Sequence, residues 1–204
     1  MKLSLHKIYF IFFGLLDLFA LINDLSQNLN DLGNHLSLFT IMSNIFTISL
    51  FLYLGLRKDD KKSKINIDSI RGAIIIYMLI TGIIYYVFLA ATLDANAVQW
   101  INIIYHKLMP VVVLLSWFLY PPRYNIKYKN AFYWLLFPLL YLGYTLFRGS
   151  ITGWYPYSFV NPIEKGYQGV FSFSLLLLIV TFVGSIILIL LGNWLQKLKI
   201  HIFK

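Results

Sequence analysis

The chain has 204 residues, of which 59% are apolar, 18% aromatic and only 12% charged. Soluble proteins average roughly 45–50% apolar and about 25% charged residues, so a soluble domain of this length has no interior large enough for these side chains. The composition therefore indicates an integral membrane protein. The net charge of +9 does not indicate nucleic acid here, because most basic residues lie in short segments between apolar runs, where they would meet anionic lipid headgroups.

The chain contains no cysteine, which excludes disulfides, thiolate metal sites and a cysteine nucleophile. Its four histidines are too dispersed for a metal cluster, and no metal is predicted. The sequence has no P-loop, dinucleotide-binding glycine pattern, H-E-x-x-H motif or G-x-S-x-G elbow. No cofactor is therefore predicted.

Six apolar runs follow one another, each near the ~20 residues that a spanning helix needs. They cover residues 5–24, 35–56, 70–92, 101–120, 131–148 and 168–195. The first run contains Asp17 and lacks a small-x-small cleavage site, so we expect an uncleaved helix and not a signal peptide. The sequence thus predicts one all-α domain over residues 1–204, a polytopic bundle of six transmembrane helices. It leaves the oligomeric state open.

Basic residues gather on one side of the predicted helices. Most of the 17 lie at the N-terminus, in the 57–71 and 121–130 connections and in the C-terminal tail. The opposite connections hold mainly acidic residues, with two basic ones beside them: Asp24, Asp31, Asp94 and Glu164, then Arg148 and Lys165. By the positive-inside rule both termini lie in the cytoplasm. We expect a multi-pass protein of the cell membrane, in contact with membrane lipids.

The connection over residues 149–167 is long, and its glycines and prolines predict a non-helical segment. Long connections are more often functional than simple spacers. Trp154 and Tyr157 suit a membrane interface, with an apolar ring in lipid and a polar tip in water. We expect them to support or gate access of a lipid substrate.

The second run carries a line of small polar side chains at steps of three or four residues: Ser37, Thr40, Asn44 and Thr47, with Ser43 beside them. That spacing places them on one face of a helix. A lipid-facing surface needs no such face, so it is expected to face other helices or a cavity. A similar line on the third run, interpreted as packing and cavity wall, contains Tyr77, Thr81, Tyr85 and Thr92.

Under the predicted topology the second and fourth helices both run inward. Thr40 then lies ~6 Å below the outer end of its helix, and His106 lies ~7 Å below the start of the fourth helix, at ~1.5 Å per residue. A nucleophilic hydroxyl needs a base within hydrogen-bond reach, and His106 is the only histidine inside an apolar run at that depth. The sequence therefore pairs Thr40, as nucleophile, with His106, as base, near the outer face.

Each of these residues also has a purely structural interpretation. A histidine in the membrane can join helices by hydrogen bonds, and most membrane threonines bond back to a carbonyl one turn earlier. Asn44 is either a donor to a developing oxyanion or interhelical glue, and the same alternatives apply to Ser43. Asn102 lies one turn before His106 and shares its face.

Two ionisable residues remain open between function and packing. Asp17 either orients His106 in a hydroxyl–imidazole–carboxylate relay, forms an ion pair with Arg148 or stays protonated. Arg148, at the outer end of the fifth run, either clamps a carboxylate or phosphate headgroup or anchors the helix at the interface.

Several motifs together resemble a known family. They are Leu38-Phe39-Thr40 within F-T-x-x-S-N, Arg71-Gly72, His106 to Pro110 as H-x-x-M-P, Pro121 to Arg123 as P-P-R, and Thr152 to Tyr157. In combination they resemble the androgen-induced family of six-pass membrane hydrolases, most closely its bacterial branch of predicted six-pass membrane proteins. The resemblance covers nearly the whole chain, although the spacing from the histidine to the following proline is one residue shorter here.

The resemblance implies a threonine–histidine hydrolase, because animal members cleave esters of fatty acids with hydroxy fatty acids by such a pair. Its motif positions fall on Thr40 and His106. The function predicted is therefore an intramembrane hydrolase of a lipid ester. Two alternatives stay open: a non-enzymatic lipid-binding or transport protein, and an acyltransferase that uses the same site.

Overall fold

The computed structural model describes residues 4–57, 66–89 and 99–202. Within these ranges all regular secondary structure is helical, as the sequence predicts. Six helices are long and apolar enough to cross a membrane, which supports a multi-pass membrane protein. They are α1 (Leu5–Gln27), α2 (Phe39–Leu56), α3 (Ile67–Phe88), α4 (Gln99–Leu119), α5 (Asn130–Thr152) and α6 (Pro162–Leu198).

The start of the second helix differs clearly from the predicted one. The second helix does not begin at residue 35: a short helix, Leu32–His35, ends first, and Leu38 is extended. The predicted end of the third helix, residue 92, and Asp94 lie outside the described residues. The fourth helix ends at Leu119, because the prolines that follow cannot continue it.

The prediction of a non-helical segment over residues 149–167 is wrong at both ends. Helix α5 continues to Thr152 and stops where Gly153 takes a left-handed φ of 71°, a common way for a helix to end. Helix α6 already begins at Pro162, since proline at a first helical position loses no hydrogen bond. Gly166, with φ 66°, then kinks this helix. The irregular stretch is thus 153–161 and includes one short helix, Ser158–Val160.

The middle of the chain forms the interior of the bundle. Within their most apolar windows, α2, α3 and α4 bury 61%, 67% and 56% of their residues, whereas α1, α5 and α6 each bury 28%. The outer three helices therefore turn most of their surface, including side chains such as Phe12 and Phe171, toward lipid. Helix α1 packs along α2, and α3 lies between α2, α4 and α6.

Polar bonds tie the helices together at the end of the bundle that holds residues 120–126. Arg71 donates to the carbonyl of Tyr120 at 2.6 Å and forms an ion pair with Asp68 at 3.4 Å. The other oxygen of Asp68 accepts from the backbone N–H of Arg123 at 2.8 Å. Arg71 and Asp68 are both nearly fully buried, so their charges compensate each other and cap the connection. The R-G and P-P-R motifs thus meet in one structural cluster, at the end of α3 opposite Thr81 and Tyr85.

Close packing of α3 against α5 predicts a stability effect at Gly72. A Cβ on Gly72 would lie 2.4 Å from two ring atoms of Trp134, a contact that forces the rigid indole to move. We expect Gly72→Ala to lower the free energy of unfolding by about 1–3 kcal/mol. Thermal unfolding in detergent measures the effect, with Gly143→Ala as the control, because nothing lies within 4 Å of a Cβ there. Equal melting temperatures for the two variants would contradict this packing.

Candidate functional site

Thr40 is the second residue of α2, at the end where backbone N–H groups have no partner within the helix. The start of α2 at Phe39 follows from the extended backbone of Leu38, whose φ is −71° and ψ 134°. The first N–H groups of any helix need partners from elsewhere, and the helix dipole is positive at this end. The local fold thus surrounds Thr40 with hydrogen-bond donors and a favourable field for negative charge.

His106, the residue that the sequence pairs with Thr40, lies against it. The distance from Thr40 Oγ1 to His106 Nε2 is 3.4 Å. The other ring nitrogen, Nδ1, donates to the backbone carbonyl of Asn102 at 3.3 Å. Because this bond holds the proton on Nδ1, Nε2 keeps a lone pair that can accept the Thr40 proton. Asn102 therefore contributes through its carbonyl group.

The backbone around His106 is a π-helical turn, Ile104–Leu108, and a second π-helical segment, Tyr85–Leu89, faces it from α3. Such turns are rare and occur mostly at functional sites. The ring of Tyr85 stacks on the imidazole with centroids 4.2 Å apart and planes 16° from parallel. His106 is thereby fixed from two sides, by a backbone carbonyl and by an aromatic face.

An apolar cleft opens beside Thr40. It encloses about 690 Å³, including its open mouth, and the elements that line it are α2, α3, α5, the 153–161 stretch and α6. Its polar wall residues are few: Thr40, Thr81, Tyr141, Tyr157 and Ser174. The lining suits a hydrocarbon chain with one polar group placed at Thr40.

Two tyrosines satisfy the first backbone N–H of α2. Phe39 N–H lies 3.1 Å from the hydroxyl of Tyr141 and 3.1 Å from that of Tyr157, and it donates to both. Tyr141 in turn donates to the carbonyl of Ser37 at 3.0 Å. Burial raises the pKa of Tyr157, and hydrogen bonds with Thr40 and Phe39 oppose that rise. The Tyr157 hydroxyl therefore keeps its proton at neutral pH, next to Thr40.

The polar residues below Thr40 mostly bond within their own helix. Asn44 is fully buried and donates through Nδ2 to the carbonyl of Thr40 at 2.7 Å. Ser43 donates to the carbonyl of Phe39 at 2.6 Å and lies 2.9 Å from the hydroxyl of Thr81. Neither residue lines the cleft. Ser43 therefore ties the first turn of α2 to α3, whereas Asn44 bonds within α2.

The remaining candidates lie apart from the pair. Asp17 is completely buried, and neither of its oxygens has a hydrogen-bond partner among the described residues. Arg148 donates to the side chain of Asn34, and its guanidinium lies 5.0 Å from the ring centroid of Trp154. Arg148 and Trp154 thus contact each other, and neither residue lines the cleft.

Sequence reasoning missed the roles of two tyrosines at the site. The sequence predicts only packing and a cavity wall for Tyr85, although the ring of this residue covers the imidazole. It predicts no role for Tyr141, although the hydroxyl of this residue bonds to the start of α2. Periodicity can place a tyrosine on an inward face, but the partner of its hydroxyl or ring depends on which helices are neighbours. Thr81, by contrast, does line the cleft as expected, and Thr92 lies outside the described residues.

Fold and site together define an all-helical, multi-pass membrane protein with a threonine–histidine contact at an apolar cleft. Comparison of the chain with protein-family models, with curated proteins and with solved structures finds no match. The interpretation of the site therefore depends on its own geometry.

The hydroxyl of Tyr141 predicts a stability effect. Tyr141→Phe leaves the Ser37 carbonyl without its donor in an apolar environment, so we expect a loss of about 1–3 kcal/mol in the free energy of unfolding. The control is Tyr133→Phe in the same helix, because Tyr133 is 60% exposed. Thermal unfolding of the two variants in one detergent measures the difference. A Tyr141→Phe variant as stable as Tyr133→Phe would show that the hydroxyl does not hold α2.

Proposed function

We propose that this protein is an intramembrane hydrolase of lipid esters, with Thr40 as nucleophile and His106 as general base. The observation that carries the proposal is the 3.4 Å contact between Thr40 Oγ1 and His106 Nε2 at the wall of an apolar cleft. Nucleophile–base contacts are often looser than ~3.2 Å before substrate binds, so this distance is compatible with catalysis. The bond from Nδ1 to Asn102 supplies the orientation that a carboxylate gives in other hydrolases.

In the proposed reaction the Thr40 proton passes to Nε2 of His106 as the threonine oxygen attacks the ester carbonyl. The tetrahedral intermediate collapses, the bond to the leaving alcohol breaks, and that alcohol takes the proton from His106. An acyl-threonine remains. Water, activated by the neutral imidazole, then releases the fatty acid and restores the hydroxyl of Thr40.

The cleft supports a substrate with a long hydrocarbon chain. Its walls are mainly aliphatic and aromatic, with Leu177, Leu178 and Phe173 contributed by α6. An ester group at Thr40 places the acyl chain among these side chains without exposing it to water. An ester of a hydroxy fatty acid, the substrate class that the family resemblance implies, fits this arrangement.

We further propose that the site lies near the outer face of the cell membrane, with both termini in the cytoplasm. The asymmetric distribution of Lys and Arg supports this orientation. Water for deacylation would then come from the outside.

The buried carboxyl group of Asp17 favours one second candidate, a lipid-binding or transport protein. An ionisable side chain without a described partner inside a membrane helix is costly, and such residues often mark a path for protons or solutes.

An acyltransferase would use the Thr40–His106 pair and pass the acyl group to a lipid acceptor. Product analysis with and without acceptor lipid separates this activity from hydrolysis, and proton-coupled flux without ester turnover supports transport.

Thr40→Val and His106→Gln test the catalytic pair. Loss of the nucleophile or base is expected to lower kcat/KM for a long-chain ester by about 10²–10⁴-fold. Thr40→Val should also abolish covalent labelling by a fluorophosphonate, because the nucleophilic oxygen is gone. Initial rates and in-gel labelling of the purified protein measure both effects.

The control is Thr181→Val, a threonine of α6 that only bonds back to the carbonyl of Leu177 at 2.7 Å and does not line the cleft. It should keep wild-type activity and labelling. Unchanged turnover in Thr40→Val and His106→Gln would exclude the mechanism.

The absence of cysteine allows a direct test of orientation. Ser150→Cys and Lys127→Cys each place a single thiol at an exposed position, near opposite ends of α5. With both termini in the cytoplasm, a membrane-impermeant maleimide should label intact cells at position 150 but reach position 127 only after permeabilisation. The reverse pattern would invert the proposed topology.

A further inference from the structure

The hydroxyl of Tyr157 lies at the start of α2, beside the proposed nucleophile. It lies 3.1 Å from the backbone nitrogen of Phe39, the residue before the nucleophile, and accepts its hydrogen bond. Tyr157 and Thr40 line the same cleft. A carbonyl attacked by Thr40 Oγ1 would therefore have its oxygen within reach of this hydroxyl.

The bond from Phe39 leaves the proton of Tyr157 available. Phe39 N–H donates to the phenolic oxygen, so the hydroxyl of Tyr157 accepts there and can still donate its own proton. The neighbouring tyrosine does not compete for this role, because Tyr141 gives its proton to the carbonyl of Ser37. Asn44, the candidate that the sequence suggests, directs its amide to the Thr40 carbonyl and does not line the cleft.

The ring of Tyr157 is held in place before any substrate binds. It stacks on Phe159 with centroids 5.0 Å apart and planes 8° from parallel, and Phe159 packs on Phe173 of α6 at 4.7 Å. A donor fixed in advance stabilises a transition state without the cost of reorganisation. The 153–161 stretch therefore both covers the cleft and holds the Tyr157 ring in a fixed position.

We propose that Tyr157 is a further catalytic residue, whose phenolic O–H donates to the oxyanion formed when Thr40 attacks the ester; this rests on the proposed hydrolase function. As the Thr40 oxygen bonds to the carbonyl carbon, the electron pair of the C=O bond moves to oxygen, and the Thr40 proton goes to His106. The Tyr157 proton stays on Tyr157 and bridges to that oxyanion. When the leaving alcohol departs with the proton from His106, the C=O bond re-forms.

Tyr157→Phe tests this assignment, because it keeps the ring stack and removes only the donor. Loss of one oxyanion donor should lower kcat by about 10²–10³-fold with little change in KM. Tyr155→Phe is the matched control, two residues away in the same stretch, where the ring packs on Gly149 and the residue does not line the cleft. It should retain wild-type kcat.

A thionoester substrate distinguishes catalysis from a structural role. Sulfur is a weaker hydrogen-bond acceptor than oxygen, so an oxyanion donor makes the wild type prefer the ester over the thionoester. Tyr157→Phe should lose most of that preference, whereas a variant that merely distorts the fold slows both substrates equally. Equal slowing of both substrates, or a kcat equal to that of Tyr155→Phe, would overturn the role of Tyr157 while leaving Thr40 and His106 intact.

A failure of the hydrolase proposal itself would appear differently, as absence of turnover in the wild type or as full activity in Thr40→Val. If Tyr157→Phe does not fold, a variant with 3-fluorotyrosine at position 157 is measured instead. Its hydroxyl is a stronger hydrogen-bond donor than that of tyrosine and the ring has nearly the same shape, so this variant should increase the preference for the ester over the thionoester. An unchanged preference would also overturn the assignment.

Discussion

The site depends on the requirement that every backbone N–H within the membrane find a partner in the protein. Because Leu38 is extended, α2 begins with N–H groups for which its own helix offers no carbonyl acceptor. Tyr141 of α5 and Tyr157 of the following stretch supply the acceptors at Phe39. One hydrogen-bonding problem thus brings α2, α5 and the 153–161 stretch to one point, and Thr40 lies there.

A second constraint fixes the imidazole. The π-helical turn of α4 brings His106 toward α2, while its Nδ1 bond to Asn102 sets which nitrogen faces Thr40. Gly82 allows this arrangement, since a Cβ there would lie 3.3 Å from the His106 carbonyl and 3.2 Å from Pro110. The ring of Tyr85 covers the remaining face. Rigid neighbours on several sides place the imidazole with little freedom, as the proposed general-base role requires.

The cluster of Arg71 and Asp68 at the other end of the bundle has a different purpose. It neutralises buried charges and caps the connection after α4, without contact to the cleft. Resemblance motifs therefore fall into two groups in this fold. The segments around Thr40, His106 and Tyr157 meet at the cleft, whereas Arg71-Gly72 and the P-P-R segment stabilise the end of the bundle.

The sequence by itself determined that the chain forms six helices long and apolar enough to cross a membrane, since apolar length is a local property. It misplaced the start of α2 and the bounds of the 149–167 segment, because proline and glycine also occur at helix ends. Only the tertiary structure decided which polar groups meet: Nδ1 of His106 bonds to a carbonyl and not to Asp17, Arg148 lies with Trp154, and Tyr157 accepts from the N–H of Phe39. Such pairings depend on which helices are neighbours. Helical periodicity indicates which face of a helix turns inward, but not which helix lies against that face.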